Sequence, residues 1–361
     1  MINRLLVLIV ILIFVSSSEG RTQTVVTIKG DQFLINNKLT YSGRYWKGIK
    51  IEGLLLNSRM VQGIFDDLNS ETIKNWQYPD TKKWDPDRNT NEFIANMKTW
   101  RDNGLLSFTI NLQGGSPQGY SSAQPWNNSA YKEDGSLRPD YMARLGKILQ
   151  KADELGMVPI VGLFYFGQDE RLKDEAAVKN AVNNVIDWLF ARNNKNILIE
   201  INNECNVDKY DHEILKPQRV HELIELVKNR TNNSRRFYVG TSYGGGAIPK
   251  PNVVRSSDFI LMHGNGVTNP DTIAAMVRKT RAAEGYTPKP ILFNEDDHFN
   301  FDKEWNNFTA AVKNFASWGY FDYRMKDEPF ESGYQSVPVD WGINSDRKKA
   351  FFKLLKEITG Y

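Results

Sequence analysis

Apolar runs of five to ten residues alternate along this chain with segments whose apolar side chains recur at helical spacing. The runs cover residues 105–112, 157–166, 197–201, 237–242, 259–263 and 290–295, with MVQGIF (60–65) before them and GYFDYRM (319–325) after. Between them, Phe93, Met97 and Trp100, then Tyr141, Leu145, Ile148 and Leu149, then Val178, Val182, Val185 and Leu189, mark amphipathic helices. Continuous apolar strands are buried on both faces, which is the condition of a parallel sheet covered by helices. Eight such strands in about 300 residues are the arithmetic of a (β/α)8 TIM barrel. Only the connection across residues 243–258 lacks a clear helix. An open doubly wound sheet would carry a phosphate-binding glycine turn after its first strand. Gly244, Gly245 and Gly246 follow the fifth strand instead and read as a turn. Ahead of the barrel, residues 24–41 read as a β-hairpin about Gly30 and Asp31.

Residues 5–15 (LLVLIVILIFV) follow Arg4 and precede Ser16, Ser17, Ser18 and Gly20. A basic start, a short apolar core and small residues describe a secretory signal peptide. The run is shorter than the roughly 18 residues of a spanning helix. We expect cleavage after Gly20, a single domain over residues 21–361, a secreted or periplasmic location, and no stable membrane association afterwards. The net charge of +3 does not favour a polyanion partner, so no nucleic acid is expected. Lys228, Arg230, Arg235 and Arg236 read as a solvated cluster on the floor side. A lone cysteine, Cys205, excludes an internal disulfide. Free cysteine is usually small and buried, and Cys205 is read that way.

Reacting groups in a TIM barrel lie at the carboxyl ends of its strands. The fourth strand runs into Asn203 and Glu204, and the seventh into Asn294 and Glu295. Strands four and seven stand on opposite sides of a barrel, so their glutamates face each other across its mouth. One Glu at a strand end is ordinarily just solvated. Two at these positions suit glycoside cleavage, where one carboxyl group gives a proton and the other attacks.

The pattern resembles clan A glycoside hydrolases, retaining TIM-barrel enzymes that include cellulases, mannanases and β-galactosidases. The resemblance spans residues 60–360. It implies that Glu204 is the acid/base, protonated at rest, and Glu295 the ionised nucleophile. It further implies that Asn203 binds the sugar hydroxyl beside the anomeric carbon and that His263 matches a strand-six histidine of cellulase-like members. The arginine many members carry on strand two is missing from Thr109, Ile110, Asn111, Leu112 and Gln113. Arg59 or Arg324 is the candidate to replace it. Asn265 stands where a tyrosine is usual. Tyr320, Tyr323 or Trp341 is the candidate for the usual strand-eight tryptophan.

The expected ligand is a carbohydrate, with no cofactor and no metal. Asn111, Gln113, Asp169, Tyr243 and His298 are further candidates to bind it, from their places near strand ends. Asp169 reads equally well as a helix cap. Nine tryptophans make the chain aromatic-rich, and sugars stack on exposed rings. Trp126 and Trp341, in mouth loops, are the candidates here. Asp296, Asp297 and His298 suggest a metal site only weakly, since alternate residues of a strand face opposite ways. Two other readings stand beside the hydrolase: a weakly catalytic sugar-binding barrel, and a metal-dependent lyase or aldolase barrel.

Overall fold

The computed structural model describes residues 23–361; the signal-peptide reading lies outside these described residues. Eight parallel strands form the barrel. They are β1 (Asn57–Arg59), β2 (Ser107–Asn111), β3 (Val158–Phe164), β4 (Leu198–Asn202), β5 (Tyr238–Gly240), β6 (Ile260–His263), β7 (Ile291–Glu295) and β8 (Gly319–Tyr320). Continuous pairing runs β5-β4-β3-β2-β1-β8, and β6 pairs with β7. Two backbone links complete the ring. The Phe293 and Ser317 amides exchange bonds of 2.9 Å with Ser317 and Ile291 carbonyls, and the Asp258 amide donates to Val239 at 2.9 Å.

The helices are α1 (Pro86–Asp102), α2 (Pro139–Leu155), α3 (Glu175–Ala191), α4 (Val220–Asn229), α5 (Pro251–Ser256), α6 (Pro270–Arg281), α7 (Asn307–Lys313) and α8 (Asp346–Thr359). Their starts follow from the sequence. The Asp85 and Asp174 side chains accept from the Arg88 and Ala177 amides, satisfying free donors at the ends of α1 and α3. Gly156 ends α2 in the left-handed conformation that a residue with a β-carbon resists. Each helix turns its apolar stripe inward, as Val178, Val182, Val185 and Leu189 do on α3. The short α5 fills the connection that shows no helical pattern in the sequence.

Two expected strands differ in detail. MVQGIF is not the first strand. Arg59 ends that strand, and Val61–Ile64 is a 3-10 turn. The run is apolar because α1 covers it: a β-carbon on Gly63 would sit 2.8 Å from the Phe93 ring. At the other end only Gly319 and Tyr320 pair in β8, and residues 321–325 belong to the mouth. The hairpin is present, with Val26–Lys29 paired antiparallel to Gln32–Ile35. No helix among the described residues is long and apolar enough to cross a membrane.

Candidate active site

The site is built on a buried cation. Arg59, the last residue of β1, has 2% of its side chain exposed. Its Nε lies 2.5 Å from Glu295 Oε2, and its Nη2 donates to Asn203 Oδ1 at 2.6 Å. Nη1 stands 3.7 Å from Glu200 Oε2, deeper in the barrel. Of the two arginines named as candidates, Arg59 is the one that reaches Glu295. Arg324 does not: it donates to the carbonyls of Phe330, Ser336 and Pro338 in the loop after β8.

Glu295 ends β7, and its second oxygen accepts from Asn265 Nδ2 at 2.5 Å. Glu204 stands two residues beyond β4 with φ 50°, a backbone conformation that β-carbons disfavour. The surrounding loop imposes it. The Glu204 amide donates to Ser242 Oγ and the Cys205 amide to the Ser242 carbonyl, both at 2.9 Å. Glu204 Oε1 is 2.9 Å from His263 Nδ1, and His263, the last residue of β6, is fully buried. One carboxylate oxygen from Glu204, one from Glu295 and a ring nitrogen of His263 all lie within 4.8 Å of one another.

Protons in this trio are shared. Burial pushes the Glu204 carboxyl up, but its hydrogen bond to His263, that ring's charge and Arg59 draw it below the usual range. Burial pushes His263 down, and the charges of Glu295 and Glu204 more than offset it. Burial raises Glu295 against the pull of Arg59 and His263. Both Glu295 oxygens nevertheless accept from fixed N–H donors, an arrangement that favours the ionised form. The directions for Glu204 and His263 put the mobile proton on the histidine side of their shared bond. The expected resting proton on Glu204 thus stands one hydrogen bond away.

A cleft of about 460 Å³ opens above these groups. Glu204, Glu295 and Arg59 form its base, and Tyr120, Tyr165 and Phe166 are among its walls. Tyr120 comes from the loop after β2. Its hydroxyl accepts from Asn265 Nδ2 at 2.7 Å and donates to Asp297 Oδ2 at 2.8 Å. No periodicity marks Tyr120 in its Gly/Ser/Pro/Gln loop; a lone large ring among small residues was the only signal.

The remaining sequence candidates are dispersed. Asn111 sits inside the barrel near Glu200, where the missing β-carbon of Gly162 makes room for both side chains. Gln113 is buried behind the cleft, donating to the Gln168 carbonyl and accepting from the Tyr165 amide. Asp169 accepts from the Asp211 and His212 amides and so fastens the loop after β4; burial pushes it up to about 6. Tyr243 is buried beside Cys205, whose thiol burial pushes well up, as suits packing. Trp126 meets Trp76 edge to face, with ring centroids 5.8 Å apart. Trp341 is 1% exposed, donates to Asn89 Oδ1 and packs on Phe93 and Tyr334. Neither tryptophan opens onto the cleft. Large mouth loops need a core of their own, and these rings supply it.

Asp296, Asp297 and His298 do converge, with one ligand-type atom from each within 4.8 Å of the others. The strand ends at Glu295, so strand alternation does not hold them apart. His298 Nδ1 lies 3.0 Å from Asp296 Oδ1 and 3.1 Å from Asp297 Oδ1. Trp318 and Asn307 donate to Asp296, and Tyr120 donates to Asp297. The cluster is a hydrogen-bonded brace beside the site.

No family model matches the sequence, and no curated protein matches it. The fold has solved counterparts. A glycoside hydrolase family 5 mannosidase from Rhizomucor miehei superposes with TM-score 0.55 at 11% identity, over 94% of this chain and 98% of that one. A glycoside hydrolase family 5 enzyme from Prevotella bryantii B14 superposes with TM-score 0.55 at 12% identity, over 84% and 95%. A longer chain from Bacteroides vulgatus superposes with TM-score 0.53 at 12% identity; 89% of this chain is covered and spans 60% of that one. The chain therefore has the TIM-barrel architecture of these glycoside hydrolases.

Proposed function

We propose that the protein is an exported retaining glycoside hydrolase acting on a poly- or oligosaccharide. The observation that carries this reading is the pair of carboxylates at the ends of β4 and β7, approaching within 4.8 Å across one cleft. Retaining enzymes hold their carboxyl groups about 5–5.5 Å apart, close enough for direct attack, whereas inverting enzymes leave room for a water.

In the proposed reaction, Glu295 attacks the anomeric carbon. The bond to the leaving oxygen breaks as Glu204 protonates that oxygen, giving a covalent glycosyl ester. The proton reaches Glu204 from His263 Nδ1, its hydrogen-bond partner. Water then attacks the anomeric carbon, the bond from that carbon to Glu295 breaks and Glu295 leaves as a carboxylate, while Glu204 takes the proton released and returns it to His263. Arg59 and Asn265 aim the nucleophile and hold its charge. With Asn203 Oδ1 engaged by Arg59, the Asn203 amide N–H is left to donate to a sugar hydroxyl. The apolar run at residues 5–15 supports export to where polysaccharides occur.

The test is a glycan panel assayed with wild type, Glu204→Gln and Glu295→Gln, following the released anomer by NMR. Hydrolysis with retention, reduced about 10²–10⁴-fold in each variant, is expected. Binding without turnover in the wild type, or inversion, overturns the reading.

A further inference from the structure

The loop after β2 does not stay on its own side of the mouth. Its start is pinned: Ser116 Oγ is 3.0 Å from the Tyr165 hydroxyl, and Gln335 Nε2 donates to the Gly115 and Ser116 carbonyls. Gly119 then takes φ 99°, and a β-carbon there would come 2.6 Å from the Tyr323 ring. This close approach sets Tyr120 against Phe321 and Tyr323, with ring centroids 5.7 and 5.3 Å away. Its hydroxyl meets Asn265 and Asp297, beyond β6 and β7. Two residues later the Ser122 carbonyl accepts from Lys209 Nζ at 3.0 Å, beyond β4. Residues 119–122 thus tie one side of the mouth to the other, and they wall the same cleft that Glu204 and Glu295 line.

A site that cuts inside a polymer needs a groove open at both ends, so that chain can extend past the reacting bond in each direction. A strap fastened on opposite sides above the carboxylates closes one of those directions. The cleft volume, about 460 Å³, is that of a small-ligand pocket, in the range of about 300–1,000 Å³. We propose that residues 119–122 form a strap that restricts the site to short oligosaccharides and to the ends of longer chains. This rests on the carbohydrate-hydrolase reading above and names its substrate class.

The experiment uses Glu295→Gln protein and size ladders of cello-, manno- and xylo-oligosaccharides with their parent polymers, measured by calorimetry. On the ladder that binds, affinity should level off after a few units. The polymer, at equal sugar concentration, should bind about tenfold more weakly or worse. Lys209→Ala, which removes one fastening with a single side chain, and deletion of Ser121 and Ser122 should each narrow that gap. Affinity that climbs with length through to the polymer overturns the proposal, as does a gap unchanged in both strap variants. Wild-type turnover separates the two readings. A rapid fall in polymer viscosity sinks the strap and leaves the hydrolase standing. Length-limited binding with no turnover sinks the hydrolase and leaves the strap. Binding to none of the ladders overturns both.

Discussion

Strands β4 and β7 run into the same dipeptide, Asn-Glu, yet the two glutamates are held in opposite ways. Glu295 is the last residue of its strand, paired with His263 just past a register shift, and its side chain is 8% exposed. A permanent cation grips one of its oxygens and an amide grips the other. Glu204 lies past its strand at φ 50°, is 16% exposed, and leans on an imidazole that can gain or lose a proton. An arginine side chain keeps its charge in any protein environment, so it favours the anionic form of its partner against the effect of burial. A histidine exchanges protons near neutrality, so its partner can receive and return one. In the proposed reaction the residues behind each glutamate, rather than the shared dipeptide, divide attack from proton transfer.

The sharpest way to break this comparison is to change the leaving group. A dinitrophenyl glycoside departs without a proton. With it, Glu204→Ala should still form the glycosyl ester, seen as a burst of phenolate, while Glu295→Ala should show no burst. The rate loss in Glu295→Ala should exceed that in Glu204→Ala by about 10²-fold or more. Equal losses on this substrate would mean that the two roles are not divided as proposed.

The next largest effect concerns the cation. Arg59→Met leaves Glu295 and Glu200 buried without the charge that faces them. Breaking a buried pair by removing one partner costs about 3–5 kcal/mol, so urea unfolding should move to a markedly lower midpoint. Losing the positive charge also disfavours ionised Glu295, so the acid limb of the pH–rate profile should move to higher pH. A variant of near-wild-type stability would show that Arg59 is a replaceable support.

Legibility of the sequence follows the same division. The barrel was readable because burial on both faces forces continuous apolar runs, and both glutamates were readable because strand ends define the mouth. Arg59 was read only as an alternative, since its strand has three residues and the longer apolar run after it is a turn under α1. Trp126 and Trp341 were read as cleft rings because loop position indicates exposure on average. Here the loops pack on each other and bury them. Tyr120 shows only as a lone large ring among small residues: what it touches depends on the path of a loop across three other strand ends, and local sequence carries no trace of that path.

Asn265 gives a smaller effect on the Glu295 side. Asn265→Ala removes the donor to Glu295 Oε1 and also the link to Tyr120. We expect kcat to fall about tenfold, the size of one hydrogen bond to a charged group, with KM little changed. Tyr120→Phe keeps the ring and loses only the hydroxyl, so it should cost less. A larger loss in Tyr120→Phe than in Asn265→Ala would show that the tyrosine acts on the nucleophile by another route.

The smallest effect is on stability, in the brace beside β7. Hydrogen bonds donated by the ring to Asp296 and then to Asp297 raise His298 to about 9. A histidine raised in the folded state stabilises fully below its unfolded value, about 6.5, and loses that contribution as pH rises through the folded value. The stability gap between wild type and His298→Gln should therefore be widest below about pH 6.5 and should close above about pH 9. The side chain keeps 16% of its surface exposed, and solvent screening should hold the gap to about 1–2 kcal/mol. Urea midpoints of both proteins across that window measure it. A gap that widens with pH would mean that the brace works through neutral His298 and that the two aspartates are balanced by Trp318, Asn307 and Tyr120 instead. Because Tyr120 joins Asp297 to Asn265, the same titration should weaken the support of Glu295 at high pH, whereas nothing in the brace touches Glu204. In His298→Gln the burst rate should be lowered below about pH 9 and should lack the wild type's alkaline fall, with the Glu204-dependent step unmoved, and this is the form the asymmetry takes at its faintest.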